Sequence, residues 1–193
     1  MPKPKQFDIE ETLDKAIDIF WSKGYRGTSI RDLVEGLGIN RASIYDTYGN
    51  KNALFLSALD RYHEKYINAF RDELLKYNNV QEGIKRTFTK IIDKGLVNEI
   101  PRGCMVVNTA SELCSTEINK NFFVEKNATK FEKIMYDYLL NGQKNGQINS
   151  STDIESLANT LYTFYSGLQT KTKHRQNIES LKKEITAITA LIC

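Results

Sequence analysis

Apolar residues recur at helical spacing along nearly the whole chain, which predicts helices rather than strands. Ile9, Leu13, Ala16, Ile17, Phe20 and Trp21 mark a first helix. Asp8 and Glu11 stand at its start in a spacing close to a capping box, and Gly24 ends it. Ile30, Leu33, Val34 and Leu37 give a short second helix, with Thr28 expected as its cap. Gly36 and Gly38 punctuate it, and Asn40 is placed to cap a third helix from Arg41 through Tyr45. Asn50 starts a long fourth helix, expected to run to about Lys76. A fifth carries Val80, Ile84, Phe88, Ile91, Ile92 and Leu96. Pro101 and Gly103 form a joint, and Cys104 is expected to open a sixth helix ending near Leu113. Ser115 or Thr116 suits the cap of a seventh, which the glycines at 142 and 146 close. An eighth helix starts after residues 150–153. A ninth shows Ile178, Leu181, Ile185, Ile188 and Ile192, an alternating heptad seam. The fold class is all-α, with about nine helices.

Composition agrees with this pattern. The 193 residues suffice for a buried core, and the three prolines stand at 2, 4 and 101, away from the helix interiors. No apolar run is long enough to span a bilayer, and the first residues lack the apolar centre of a signal peptide. A cytoplasmic protein without membrane partners is expected. The three cysteines, Cys104, Cys114 and Cys193, do not suggest a disulfide framework. The net charge of +3 hints at a nucleic-acid partner, but residues 1–51 carry eight Lys or Arg and eight Asp or Glu. DNA binding there requires the two signs to be segregated onto different faces. The basic N-terminal arm, residues 1–6, reads either as a backbone-tracking arm or as a frayed end.

Two short helices joined by a glycine-containing turn make a helix-turn-helix, whose second helix enters a DNA major groove. Arg41 and Tyr45 share a face of that helix. The fork of Arg41 matches the edge of guanine, whereas Thr28, Tyr45 and Lys51 suit phosphate contacts. Tyr45 and Tyr48 also admit a reading as core aromatics. The flanks sharpen the motif. Ala16, Phe20, Gly24, Tyr25, Thr28, Ser29, Ile30, Leu33, Gly38, Ile39, Ser43, Ile44, Tyr45, Lys51, Leu54 and Phe55 resemble the DNA-binding region of TetR/AcrR-family transcriptional regulators. Tyr48 stands where that family usually has Phe, Ala42 where Gly is common, and Asp46 where His or a basic residue is frequent. The resemblance implies DNA contacts from Thr28, Ser29, Arg41, Ala42, Ser43, Tyr45, Tyr48 and Lys51. It also implies a DNA-binding domain over 1–50 and an effector-binding and dimerisation domain over 51–193.

The remaining features acquire roles within that scheme. Tyr62, Tyr66, Phe88, Phe131, Tyr162 and Tyr165 are candidates for lining an effector cavity, with plain core packing as the alternative. Leu161, Leu168, Leu181, Ile185, Ile188 and Ile192 are candidates for a seam between two subunits. The stretch Arg102-Gly103-Cys104 is similar to a segment in a TetR subgroup that responds to electrophiles or oxidants. Cys104 combines a helix N-terminus with a neighbouring cation, Arg102, so it reads as a thiol sensor or as a small buried residue. Cys114 lies about 15 Å further along a continuous helix, too far for an intramolecular disulfide.

No P-loop, GxGxxG after a strand, GxSxG, HExxH or CxxC occurs, and His63 and His174 have no evident ligand partners, so neither a metal nor a cofactor is expected. The chain therefore reads as a non-enzymatic repressor: a homodimer on palindromic double-stranded DNA, released by a small-molecule or thiol-reactive effector. The alternatives are a helical DNA-binding protein without ligand control, and a small-molecule binding module with vestigial DNA binding.

Overall fold

The computed structural model describes residues 7–97, 101–113, 118–174 and 177–192, with the side chains of 95–97, 118–124 and 127 left out. Among these residues the chain forms nine helices: α1 (Ile9–Lys23), α2 (Ile30–Leu37), α3 (Arg41–Tyr48), α4 (Lys51–Leu74), α5 (Val80–Val97), α6 (Met105–Leu113), α7 (Ile118–Lys144), α8 (Ile154–Lys173) and α9 (Ile178–Ala190). The all-α expectation holds. The predicted caps of α7 at Ser115 or Thr116 lie outside the described residues, as do Cys114 and Cys193.

The first four helices are delimited by local chemistry. Asp8 accepts from the backbone N–H groups of Glu10 and Glu11, Asn40 from that of Ser43, and Asn50 from that of Ala53. Each satisfies donors that a helix start leaves unpaired. The second cap corrects the expectation: Ser29, not Thr28, closes a capping box with Asp32. Thr28 is instead buried, and its hydroxyl donates to the Gly24 carbonyl at 2.6 Å. Between α2 and α3, Gly38 takes the left-handed conformation, with φ 68°. A side chain there would be strained, so the tight turn depends on this residue.

Buried residues form two clusters that do not divide at residue 50. The first joins Ala16, Phe20, Leu33, Leu37 and Ile44 to Leu54, Phe55, Leu59 and Tyr62 of α4, and also takes in Cys104, Met105, Val106 and Leu113. The second gathers Ile67, Phe70 and Leu74 from the far half of α4 with the inner faces of α5, α7, α8 and α9. Helix α4 thus belongs to both, and α6 packs with the N-terminal core. Arg61 braces this arrangement on the surface: its Nε and Nη2 donate to the two carboxylate oxygens of Asp14 at 2.9 Å, and it also pairs with Glu10.

The expected subunit seam is corrected. Leu161, Leu168, Leu181, Ile185 and Ile192 are buried in the second core of their own protomer, and Ile188 packs against it. Helix α9 lays its apolar stripe on α5. A heptad-like spacing specifies a buried stripe but not which surface buries it.

Candidate nucleic-acid interface and effector cavity

In the unit of α1, α2 and α3, called the reader below, Ser29 and Asp32 exchange hydrogen bonds, with the Ser29 backbone N–H donating to Asp32 at 2.7 Å. Lys23 of α1 also pairs with Asp32. Lys23 first, then Ser29, hold the Asp32 carboxyl well below the usual carboxylate range. This locks the start of α2 onto the end of α1. Helix α3 is anchored by Ile44, which is fully buried, while Arg41, Ala42 and Asp46 are exposed. The Arg41 guanidinium lies 5.3 Å from the centre of the Tyr45 ring and donates to the Tyr45 hydroxyl at 3.3 Å. Stacking on Tyr45 limits the freedom of the exposed fork. Lys51, at the start of α4, lies over the Tyr25 ring at 4.4 Å.

Two of the eight residues expected at DNA face inward. Thr28 is buried with its hydroxyl already engaged. Tyr48 packs against the first core, its hydroxyl buried without a hydrogen-bond partner among the described residues. Burial first, and the charge of Glu10 second, raise its pKa. Ser29, Arg41 and Ala42 are exposed, and Ser43, Tyr45 and Lys51 are half-buried.

Two cavities meet where the cores adjoin. The larger, about 400 Å³, has walls from α1 (Trp21), α4 (Tyr62, Lys65, Tyr66, Ala69, Phe70, Glu73), α5 (Thr87, Lys90, Ile91, Lys94), the joint before α6 (Arg102, Gly103) and α8 (Tyr165, Gln169). The smaller, about 50 Å³, shares Tyr62, Tyr66, Phe70 and Tyr165 with it and adds Phe131, Tyr162, Cys104 and His63. Five of the six aromatics named as cavity candidates, Tyr62, Tyr66, Phe131, Tyr162 and Tyr165, line one or both of these spaces. Phe88 does not: it is fully buried in the second core, stacked on Phe164 at 5.9 Å. The aromatic wall is continuous, with Trp21 edge-on to Tyr62 at 5.0 Å and Tyr62 stacked on Tyr66 at 4.3 Å.

The small cavity is mostly apolar, with Ile67, Phe70, Val106, Val107 and Phe131 in its walls. Burial, and then the negative form of Cys104, push the Tyr62 and Tyr165 phenols well above their usual range. Both phenols hydrogen-bond with the Cys104 side chain, and the Tyr62 hydroxyl also accepts the Met105 N–H at 3.2 Å. His63 is lowered to about 4 by burial and then by the charge of Lys130, and its Nε2 has no partner among the described residues. The cation expected to activate Cys104 is committed elsewhere. Arg102 pairs with Asp18 at 2.6 Å and lies over the Trp21 ring at 5.5 Å. Cys104 itself is 7% exposed and precedes α6, its carbonyl accepting the Asn108 N–H at 2.9 Å.

The segment that carries Cys104 also grips the reader. The Glu112 carboxylate, near the end of α6, accepts the backbone N–H groups of Tyr25 at 3.0 Å and Arg26 at 2.7 Å. A Cβ added at Gly24 would come within 2.8 Å of that carboxylate, and Gly24 has φ 74°. One short stretch thus contacts the cavity at its start and the reader at both ends, through Arg102–Asp18 and Glu112.

A sequence profile described as bacterial regulatory proteins, tetR family, matches residues 13–58, and a second, described as a tetracyclin repressor-like C-terminal domain, matches residues 82–188. The chain belongs to the TetR family. The uncharacterized HTH-type transcriptional regulator YezE of Bacillus subtilis (strain 168) is 35% identical over 162 residues, covering 83% of this chain and 84% of that protein. The HTH-type transcriptional repressor ComR of Escherichia coli (strain K12) is 27% identical over 180 residues, 93% of this chain and 86% of that protein. Among solved structures, the TetR family transcriptional regulator CifR, as a cysteine mutant complexed with 26bp double-strand operator DNA, superposes with a TM-score of 0.89 at 26% identity, covering 99% of this chain and 100% of that one.

In this TetR-family chain the two profiles leave residues 59–81 between them, and Tyr62, Tyr66 and Phe70 of the cavity stand there. Trp21, Lys65, Glu73, Thr87, Lys90, Lys94 and Gln169 were not expected at a site. The available signals were that Trp21 is the chain's one tryptophan and that Lys90 and Lys94 are one helical turn apart. Among the described residues no group of three or more His, Cys, Asp or Glu could hold a metal, and no helix is long and apolar enough to cross a membrane.

Proposed function

We propose that this TetR-family DNA-binding regulator is a homodimeric repressor that leaves a palindromic operator when a small molecule fills the larger cavity. The observation that carries this reading is the cavity wall itself. Trp21 belongs to α1 of the reader, and Arg102, also in the wall, is tied to Asp18 of the same helix. A ligand there touches the DNA-binding core directly, and it shifts DNA affinity by as much as it prefers the released state. Arg41 reads a base, and Ser29, Tyr45 and Lys51 hold phosphates. The operator complex of CifR and the repressor name of ComR support the direction of control.

Dimerisation belongs to the outward face of α8, where Asn159, Thr163, Gly167 and Thr170 are exposed. A Cβ at Gly167 would meet nothing within 4 Å in its own protomer. A glycine inside a helix costs about 0.5–1 kcal/mol relative to alanine, so a close-packed partner helix accounts for it. Gly167→Trp is expected to sediment as a monomer with unchanged helix content.

A second reading concerns Cys104, whose sulfur is reached through the small cavity. A thiol-reactive compound that enters there adds bulk at the joint before α6. The cysteine substitutions in the CifR operator complexes, and the RGC segment's similarity to an electrophile-responsive subgroup, support testing it.

The deciding measurement is fluorescence anisotropy of the DNA flanking the protein's own gene, with and without candidate effectors. Binding relieved by a compound sustains the proposal. Unrelieved binding indicates a ligand-independent DNA-binding protein, and absence of binding indicates a ligand module with a vestigial reader. Electrophile-driven release that survives Cys104→Ser rules out the thiol route alone.

A further inference from the structure

The larger cavity holds polar groups that the protein's own packing leaves unexplained. Buried threonines on these helices return their hydroxyls to the carbonyl one turn back: Thr109 to Met105, Thr172 to Leu168 and Thr189 to Ile185, all at 2.8–2.9 Å. Thr87 is 1% exposed, stands in the cavity wall, and makes no such bond; its hydroxyl has no partner among the described residues. Across the cavity, the Trp21 indole N–H is likewise buried without a partner among them. Unsatisfied buried polar groups cost roughly 1–3 kcal/mol each, so their retention in one cavity calls for something that satisfies them.

The charges around the cavity lean one way. Lys65, Lys90, Lys94 and Arg102 line it with one lining carboxylate, Glu73, and Arg102 is already paired with Asp18. Glu73 is already shared between Lys90 at 2.6 Å and Lys76 at 2.8 Å. Lys65 lies 3.9 Å from Asp14, whose oxygens both serve Arg61. Lys94 has no carboxylate partner among the described residues, and it follows Lys90 and Thr87 on one face of α5. A cationic ligand would meet this surplus unfavourably, whereas an anion would complete it.

From this we infer, resting on the effector-cavity reading above, that the larger cavity binds an aromatic carboxylate. The flat apolar body lies against Trp21, Tyr66 and Phe70, the carboxylate meets Lys94 and Lys90, and the orphan Thr87 hydroxyl donates to it. A volume of about 400 Å³ accommodates a bicyclic acid.

The test uses the full-length protein with 2-naphthoate and its neutral counterpart 2-naphthamide, by titration calorimetry and by the emission of Trp21, the only tryptophan. Naphthoate is expected to bind at one site and alter Trp21 emission, with the amide at least about tenfold weaker, because a charge-assisted hydrogen bond is roughly twice as strong as a neutral one. Lys94→Gln should remove most of that preference while leaving amide binding unchanged, and Thr87→Val should weaken the acid. Equal binding of acid and amide, no binding of either, or an acid preference that survives Lys94→Gln overturns the inference. Operator binding is measured in parallel without ligand. A protein that grips its operator but ignores naphthoate loses this inference and keeps the repressor reading. One that binds naphthoate but no DNA loses the repressor reading and keeps this one.

Discussion

The reader and the helical body behind it are stabilised in different ways. Side-chain caps are common to both: Asp8, Ser29 with Asp32, and Asn40 start α1 to α3 in the reader, and Asp153 and Asn177 start α8 and α9 in the body. The reader's buried residues, among them Phe20, Leu33 and Ile44, close tightly around its helix starts. The body is built from helices that meet across long sequence separations. It keeps two adjoining cavities, with the Thr87 hydroxyl in the wall of the one of about 400 Å³ and His63 in the wall of the one of about 50 Å³, and neither that hydroxyl nor His63 Nε2 has a partner among the described residues. A rigid reader presents its side chains at fixed spacing. A body with unfilled space between its helices has free energy to gain from a ligand.

Four measurements break or sharpen this contrast, the largest effect first. Ile185→Glu places a charge in the second core, where Ile185 is fully buried. It should cost about 4–5 kcal/mol or more and unfold the body, seen as lost cooperative melting. If Ile185→Glu instead yields folded monomers, α9 faces a partner after all.

The second measurement uses pH. In the unfolded chain His63 takes a proton near pH 6.5, whereas in the fold its pKa is lowered to about 4. Its contribution to stability is therefore complete above pH 6.5 and declines as pH falls from there to about 4, with no further change below. The slope in that window reaches at most about 1.4 kcal/mol per pH unit. His63→Gln should remove this component from denaturant midpoints measured across the window, while the reader-side cap variants leave it intact.

In the reader, Arg41→Ala should cost about 1–3 kcal/mol at one base position of the operator. Lys51→Ala should weaken all sequences alike and reduce the salt slope by about 1. Identical behaviour of the two on specific and random DNA would erase the division between base and phosphate contacts. The smallest effect is Ser29→Ala. Loss of the cap should cost about 1 kcal/mol in thermal unfolding. Thr28→Ser, which keeps the hydroxyl bonded to Gly24, should cost less.

How much was legible in the sequence follows the same contrast. The caps at Asp8, Asn40 and Asn50 and the turn at Gly38 are encoded by residues within four positions of their effects. They were found. Thr28 and Ser29 are adjacent, and either hydroxyl suits a cap; only the packing of Thr28 against Gly24 separates them. The stripe on α9 was visible, but Ile185 and Ile192 carry no mark of whether their cover comes from α5 or from another chain. Phe88 and Tyr66 look alike in sequence, yet one fills the core and the other a cavity wall, because their neighbours come from α8 and α1. Arg102 precedes Cys104 by two residues, but its side chain turns to Asp18, 84 residues away. The cavity itself is assembled from five segments, and no local pattern foretells Trp21 beside Arg102.

The grip of Glu112 on the reader has a consequence for how such a protein diversifies. It holds two main-chain N–H groups, those of Tyr25 and Arg26. Main-chain donors are the same whatever amino acid carries them, proline excepted. These two links therefore do not depend on which side chain stands at 26, provided the loop keeps its length and the glycine at 24. A reader with different DNA preferences, transplanted onto this body, would inherit the connection to the cavity without any redesign of α6.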